Sequence, residues 1–348
     1  MSRIPDRLRL PRSRAGRLAL VVVPIGGLVA LAVWRGPDPG PVERAFRAVE
    51  WEWVAAAVLI NLFSVVVRAQ AWSIVIKQAV PPPWPRRRNV FAAFCVGLLG
   101  NAALPGRVGE LARVAVVTHY VRRRPGTWAT IVGTVFAHRL LDVVAAVVLV
   151  LLTLYIAPIP DWASPVLAVV IGVGLGLLFA GFLLARKHHR PLSQELGAFR
   201  RVLHMARRGL TVLRRPAPAI QALCLQLVGW AAQLFAVYTA LLAFGIDASI
   251  EAAALVLVVM NVVMIFPFWP GNIGLVQAAV AAALLPYGVS YPHGIVFGIG
   301  LQAIEASVGL GLGFLFLARE GFTFAMLRRM PEVTDLDVDE DERVERIA

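Results

Sequence analysis

The sequence predicts an all-α membrane protein: a polytopic transmembrane helix bundle with about six full spans plus two opposed re-entrant helical hairpins, related by an inverted repeat. Three observations predict it. Hydrophobic residues make up 59% of the 348 and charged residues only 16%, with a mean hydropathy of +0.73; a soluble domain is about 45–50% apolar and about 25% charged. The apolar residues gather in stretches near the about 20 that a helix needs to cross a bilayer core. The basic residues, which give a net charge of +13, fall on one side of those stretches. A chain this apolar is no soluble nucleic-acid binder, despite a pI of about 11.1, and disordered, collagenous and small disulfide-bonded classes are excluded as well.

The spans follow in order. Residues 18–34 come after an Arg-rich segment, 1–17, and form the first; Ala30-Leu31-Ala32 also resembles a signal-peptide cleavage site, which is the alternative. Residues 54–76, 127–156, 163–185, 217–245 and 294–317 form the other five. Two further apolar stretches are interrupted. Residues 90–117 contain Gly100-Asn101 and Leu104-Pro105-Gly106-Arg107, and residues 252–287 contain Pro267-Phe268-Trp269-Pro270-Gly271-Asn272. Proline and glycine stop a helix. Broken helices at membrane depth survive only inside protein or beside a water-filled cavity.

Charge orients these stretches, because basic residues favour the cytoplasmic side. If both interrupted stretches are hairpins that return to their starting side, 29 of the 34 Lys and Arg become cytoplasmic, in segments 1–17, 77–88, 107–124, 186–216 and 318–348. Both termini are then cytoplasmic in a bacterial-type plasma membrane, and the hairpins open from opposite sides. The transmembrane domain runs over 18–325. Within it, 186–216 repeats Leu196, Phe199, Leu203, Ala206, Leu210 and Leu213 at helical spacing with arginines between. It reads either as an amphipathic helix on an anionic leaflet or as one packed on its own protein. Residues 41–52 read as a short interfacial helix anchored by tryptophans. The tail, 326–348, is acidic and reads as a solvated, disordered segment. Cys95 and Cys224 lie in apolar runs and read as buried small hydrophobes, with no metal site implied.

The hairpins share a pattern. Pro105-Gly106-Arg107-Val108-Gly109-Glu110 in the first matches Pro270-Gly271-Asn272-Ile273-Gly274 in the second, each between short apolar arms. Pro267 adds a further break. A helix starting after such a break points free N–H groups at it. Arg139 and Asp142 follow the first hairpin, as Gln302 and Glu305 follow the second, each pair at i,i+3. Opposed hairpins with matching flanks are what inverted-repeat transporters show, with substrate at the repeat interface. The alternative is that Pro-Gly only kinks two ordinary spans.

Charges inside a bilayer mark a pathway or a pair. The candidates for a headgroup site are Asn101, Arg107, Glu110, Arg113, Arg139, Asp142, Gln277 and Glu305; Arg68 also lies within a span. Glu110 with Arg113, and Arg139 with Asp142, can pair along a helix. Such pairs either only neutralise each other and fix packing or line a polar cavity in which arginines hold a phosphate. His138 beside Arg139 reads as a packing histidine or a proton relay. Catalysis has little to rest on: G-x-S-x-G, P-loop, H-E-x-x-H and zinc-type clusters are absent, so no catalytic residue, metal or cofactor is assigned. An intramembrane transferase using Glu110 or Asp142 is the enzymatic alternative.

At these residues the chain resembles the transmembrane region of lysylphosphatidylglycerol synthases, a flippase-like domain family. The first family signature, N-x-x-x-P-G-R-x-G-E-x-x-R, matches Asn101, Pro105, Gly106, Arg107, Gly109, Glu110 and Arg113. The second, E-R-x-x-D, matches Arg139 and Asp142, with His138 in place of the acid. The third, P-x-x-P-G-G-x-G-x-x-E, matches Pro267, Pro270, Gly271 and Gly274, with Asn272 for a glycine and Gln277 for the acid. The resemblance covers residues 15–325. It implies binding and flipping of a lipid: an anionic or aminoacylated phospholipid, or a polyprenyl- or hopanoid-type lipid. It also implies the translocating half of the bifunctional synthases, working with a separate cytoplasmic transferase. A membrane subunit in aminoacyl-lipid or lipid-linked glycan biosynthesis is the alternative.

Overall fold

The structure is a computed structural model that describes residues 48–103, 109–121, 127–157, 163–186, 209–265 and 272–319, all within the unit 48–348. Every regular element among them is helical. In chain order these are α1 (Trp51–Ala79), α2 (Arg87–Ala103), α3 (Gly109–His119), α4 (Thr127–Ile156), α5 (Ala163–Arg186), a 3-10 turn (Leu210–Arg214), α6 (Pro216–Ala243), α7 (Ile250–Val263), α8 (Leu275–Leu284) and α9 (Tyr291–Arg319). The chain is a multi-pass membrane protein. Four helices are long and apolar enough to cross a bilayer: Trp51–Ala79, Thr127–Ile156, Pro216–Ala243 and Tyr291–Phe316. At 1.5 Å per residue, the 29 residues of α1 reach about 43 Å, beyond a hydrocarbon core of about 30 Å. Their outward side chains are apolar: Leu59, Phe63, Phe136, Leu151, Ile220, Phe235 and Phe314 are all exposed. So large an apolar exterior suits lipid rather than water.

These four helices coincide with four of the six expected spans. The fifth expected span, 163–185, coincides with α5; the first, 18–34, lies outside the described residues. The acidic tail also lies outside them. Two expectations are corrected, and one open alternative is answered for the end of its segment, residues 187–208 lying outside the described residues. Trp51 and Trp53 open α1 itself rather than end a separate interfacial helix. The end of the 186–216 segment is a 3-10 turn packed on α1, α4, α5 and α6, with Leu210 and Val212 buried, so this part sits on protein rather than on a leaflet. A Cβ on Gly209 would overlap the backbone of Gly133 and Thr134, which is how closely the turn seats on α4. Cys95 is buried as expected, but Cys224 is exposed on the outer face of α6.

Local sequence explains the helix limits. Pro216 begins α6 at a position where its missing N–H costs nothing. Gly245 ends it: at φ 65 it takes the left-handed turn, its N–H reaching Leu242 O at 3.0 Å and that of Ile246 reaching Leu241 O at 3.0 Å. Gly109 and Gly274 stand at the starts of α3 and α8, just after the interrupted segments. Asn272 donates from Nδ2 to Val263 O at 2.9 Å and so bridges the second interruption.

The order long helix, short pair, long helix occurs twice: α1, α2–α3, α4, then α6, α7–α8, α9. In each short pair the two arms pack against each other. Gly97 faces Arg113 and Gly100 faces Gly109, so α2 and α3 lie side by side and the chain doubles back between them. Among the described residues the leading helices α1 and α6 make the most extensive packing, and they run antiparallel. Three hydrogen bonds fix their register: Glu50 N–H to Ala243 O at 2.9 Å, Ser64 Oγ to Gly229 O at 2.8 Å and Arg215 Nη1 to Gln78 Oε1 at 2.9 Å. Helix α9 packs on both pairs, and its glycines allow the approach. Gly294 and Gly298 face Ala281 and Gln277 of α8; Gly309 and Gly313 face Leu98 and Leu99 of α2. Small residues at helix contacts are the membrane rule, since lipid offers no hydrophobic drive for association.

Candidate functional site

Three helices gather five charged side chains into a chain of alternating sign. Helix α3 supplies Glu110 and Arg113 one turn apart, with Arg113 Nη2 at 2.5 Å from Glu110 Oε2. Helix α4 supplies Arg139 and Asp142, again one turn apart, with Arg139 Nη1 donating to Asp142 Oδ2 at 3.1 Å. Arg139 Nη2 donates to Glu110 Oε1 and joins the two helices. Arg68 of α1 closes the series, 4.0 Å from Asp142 Oδ1. The sequence Arg68, Asp142, Arg139, Glu110, Arg113 holds one more cation than anion.

Neutral groups complete the setting. Asp142 Oδ1 also accepts from Trp230 Nε1 at 2.9 Å and Gln226 Nε2 at 3.3 Å, both on α6. The Arg113 guanidinium lies 4.8 Å from the ring centre of Trp72 and 5.6 Å from that of Phe94; the Arg68 guanidinium lies 4.7 Å from Trp230. Aromatic faces attract a desolvated cation, so the rings help to hold arginines that water cannot reach. Trp72 is fixed in turn by its Nε1 bond to Thr134 Oγ1 at 3.1 Å. His138 is buried, with Nε2 3.2 Å from the Arg68 carbonyl and its ring edge-on to Phe94. It ties α4 to α1.

Beside this chain lies a cavity of about 20 Å³ lined by Phe94, Gly97, Leu98, Asn101, Gly109, Glu110, Arg113 and Arg139. That volume suits about one water molecule. Asn101 Oδ1 and Arg113 Nε are buried there without a hydrogen-bond partner among the described residues. Arg113 is 3% exposed, whereas Arg139 keeps 42% of its side chain open. A ligand larger than water therefore meets Arg139 at the mouth before it can reach Arg113. Gly109 sets the width of this place: a Cβ there would overlap Gly97 O and press on Asn101.

The structure thus brings together Asn101, Gly109, Glu110, Arg113, Arg139 and Asp142. Gln277 and Glu305 make hydrogen bonds of their own, and of the two Glu305 is reached by the charge of Arg68. Gln277 accepts from the Gly274 N–H at 2.6 Å, capping α8, and donates to Gln302 Oε1 at 2.5 Å. Glu305 accepts from Gln233 Nε2 at 2.6 Å. Gly274 itself takes φ 92, a conformation that favours glycine. Pro105, Gly106, Arg107, Pro267, Pro270 and Gly271 lie outside the described residues. Sequence reading counted Arg68 among the charges inside spans but left Gln226, Trp230 and Gln233 unassigned. The signal for these three was their spacing, which places polar side chains along one face of an otherwise apolar span.

Comparison with known proteins adds three findings. A family model described as "Lysylphosphatidylglycerol synthase TM region" matches residues 16–313. Two curated proteins of Methanothermobacter thermautotrophicus, each called "UPF0104 membrane protein", are similar to the chain. One is 24% identical over 287 residues, covering 75% of this chain and 81% of its own length; the other is 23% identical over 299 residues, covering 78% and 86%. No solved structure matches.

Proposed function

Starting from the fact that the chain belongs to the lysylphosphatidylglycerol synthase TM region family, we propose that it binds a phospholipid or other lipid-linked substrate and translocates it between leaflets. The observation that carries this reading is the half-open Arg139 guanidinium beside buried Arg113, at the mouth of a polar cavity inside an apolar bundle. Cations so placed suit a lipid phosphate, which arginine can engage through two N–H groups at once. Glu110 and Asp142 hold the arginines in position, Asn101 lines the same cavity, and Arg107 stands two residues before α3 in sequence. Movement is by alternating access between the two hairpins. Antiparallel α1 and α6, the leading helices of the two helix–pair–helix units, support the inverted relation that this mechanism requires. The basic segments support a plasma-membrane location with both termini cytoplasmic.

Reconstitution tests the reading. The chain in liposomes should speed the loss of dithionite-accessible headgroup-labelled phosphatidylglycerol over empty liposomes, and Arg139→Ala should abolish the gain while remaining folded. Equal rates with and without the protein, across anionic and aminoacylated lipids, would sink it.

A further inference from the structure

Glu110 stands in the first turn of α3, while Asp142 and Glu305 lie well inside α4 and α9. The first two are held by arginines, which can only donate hydrogen bonds and so suit only a carboxylate. Glu305 differs. Among the described residues no Lys or Arg lies within ion-pair distance of it, and its partner is the amide of Gln233 at 2.6 Å. An amide serves both forms of a carboxyl: its nitrogen donates to a carboxylate, and its oxygen accepts from a carboxylic acid after a flip. The site is therefore built to hold Glu305 with or without a proton.

Its surroundings are sparse in charge. Helix α9 packs on α1, α2, α6 and α8. Arg68 of α1 is the cation whose field reaches Glu305, α6 supplies Gln233, and α2 and α8 bring no ionisable partner to it. Arg68 also lies 4.0 Å from Asp142 and over the Trp230 ring, so a change of charge at Glu305 is felt at the end of the candidate headgroup site. Glu305 also sits midway between the two glycine contacts of α9: Gly294 and Gly298 against α8, Gly309 and Gly313 against α2. It lies on the helix that touches both hairpins.

We propose that Glu305 is a proton-binding site, loaded from one side of the membrane and discharged to the other, that couples a proton gradient to lipid movement. The coupling rests on the translocation reading above; the proton site does not. When Glu305 is ionised, Arg68 is shared between two carboxylates. When it is protonated, Arg68 belongs to Asp142 alone, and the network around Arg139 changes with it.

Two measurements test this with the full chain in liposomes. The first follows NBD-labelled phosphatidylglycerol with pyranine trapped inside, with and without an imposed pH gradient. Wild type should respond to the gradient; Glu305→Gln should move lipid at one rate with or without it, and Glu305→Asp should recover the response in part. An undiminished response in Glu305→Gln overturns the coupling. The second is an infrared difference spectrum between acid and alkaline pH. Wild type should show a protonated-carboxyl C=O band, beyond those of the other acids, that Glu305→Gln lacks. A spectrum without that band, or a band that survives the substitution, overturns the proton site even if no lipid moves in either protein. Lipid movement absent from wild type with the band present would instead overturn the translocation reading and leave the site standing.

Discussion

Arg139 of α4 donates to Glu110 of α3 across 29 residues of sequence, and each is also paired one turn away on its own helix. The contact makes two local ion pairs into a single network. It lies on the wall of the cavity, so stability and ligand contact draw on the same atoms.

Loss of Glu110 strands the buried Arg113, which for a buried pair costs about 3–5 kcal/mol, whereas loss of Arg139 leaves Glu110 paired with Arg113. Arg139 is half open, so Glu110→Gln should cost the upper part of that range through Arg113, and Arg139→Gln the lower. The double variant should lose less than the two singles combined. Chemical denaturation in mild detergent would measure this; strict additivity would show that the contact carries no coupling.

Gly109→Ala should prevent α2 and α3 from packing, because its Cβ would meet the Gly97 carbonyl and Asn101. Gly172→Ala on α5, where a Cβ meets nothing within 4 Å, should be harmless. Yield of monodisperse protein by size-exclusion chromatography separates them. Equal yields would contradict the close approach of the two arms.

Trp230→Phe keeps a ring near Arg68 but removes the 2.9 Å donor to Asp142. A hydrogen bond to a charged group is worth about 1.5–3 kcal/mol, so a destabilisation of that order is expected in a denaturant titration. Trp230→Ala should cost more, since the cation also loses its aromatic face.

Gly313→Ala should unseat α9 from α2, since its Cβ would lie 2.5 Å from Leu99 Cβ and 2.9 Å from Cys95 O. Overpacking of this kind costs about 1–3 kcal/mol. Gly311→Ala, two residues away with open space, is the control. A cysteine cross-link between α9 and α2 should form less readily in the first variant than in the second.

The sequence revealed those features that follow from a single helix or from composition. Apolar length marked α1, α4, α6 and α9, and i,i+3 spacing gave Glu110 with Arg113 and Arg139 with Asp142. Features that depend on which helices meet were not legible. Nothing in the order of residues says that Asp142 accepts from Trp230, 88 residues on. Gln277 and Glu305 were grouped with the arginines because all are polar at membrane depth, yet α8 and α9 place them in separate hydrogen bonds. The 186–216 segment stayed open because regularly spaced leucines look the same whether they face lipid or a neighbouring helix, and at Leu210 the neighbour is α4.

The pairing of α1 with α6 also has a consequence for biosynthesis. Arg68 is made long before the groups that hold it. Asp142 is 74 residues later and Trp230 is 162 residues later in the chain. At about 5–20 residues per second, the arginine waits roughly 8–30 s between its own emergence and that of the indole that covers it. Until Asp142 emerges α1 carries an unmatched charge, which a lone helix in lipid resists, and until Trp230 emerges that pair lacks its indole. The ribosome and the insertion machinery therefore have to shelter the first half until the second half arrives. A chain stalled after α5 should be a prime target for membrane quality control.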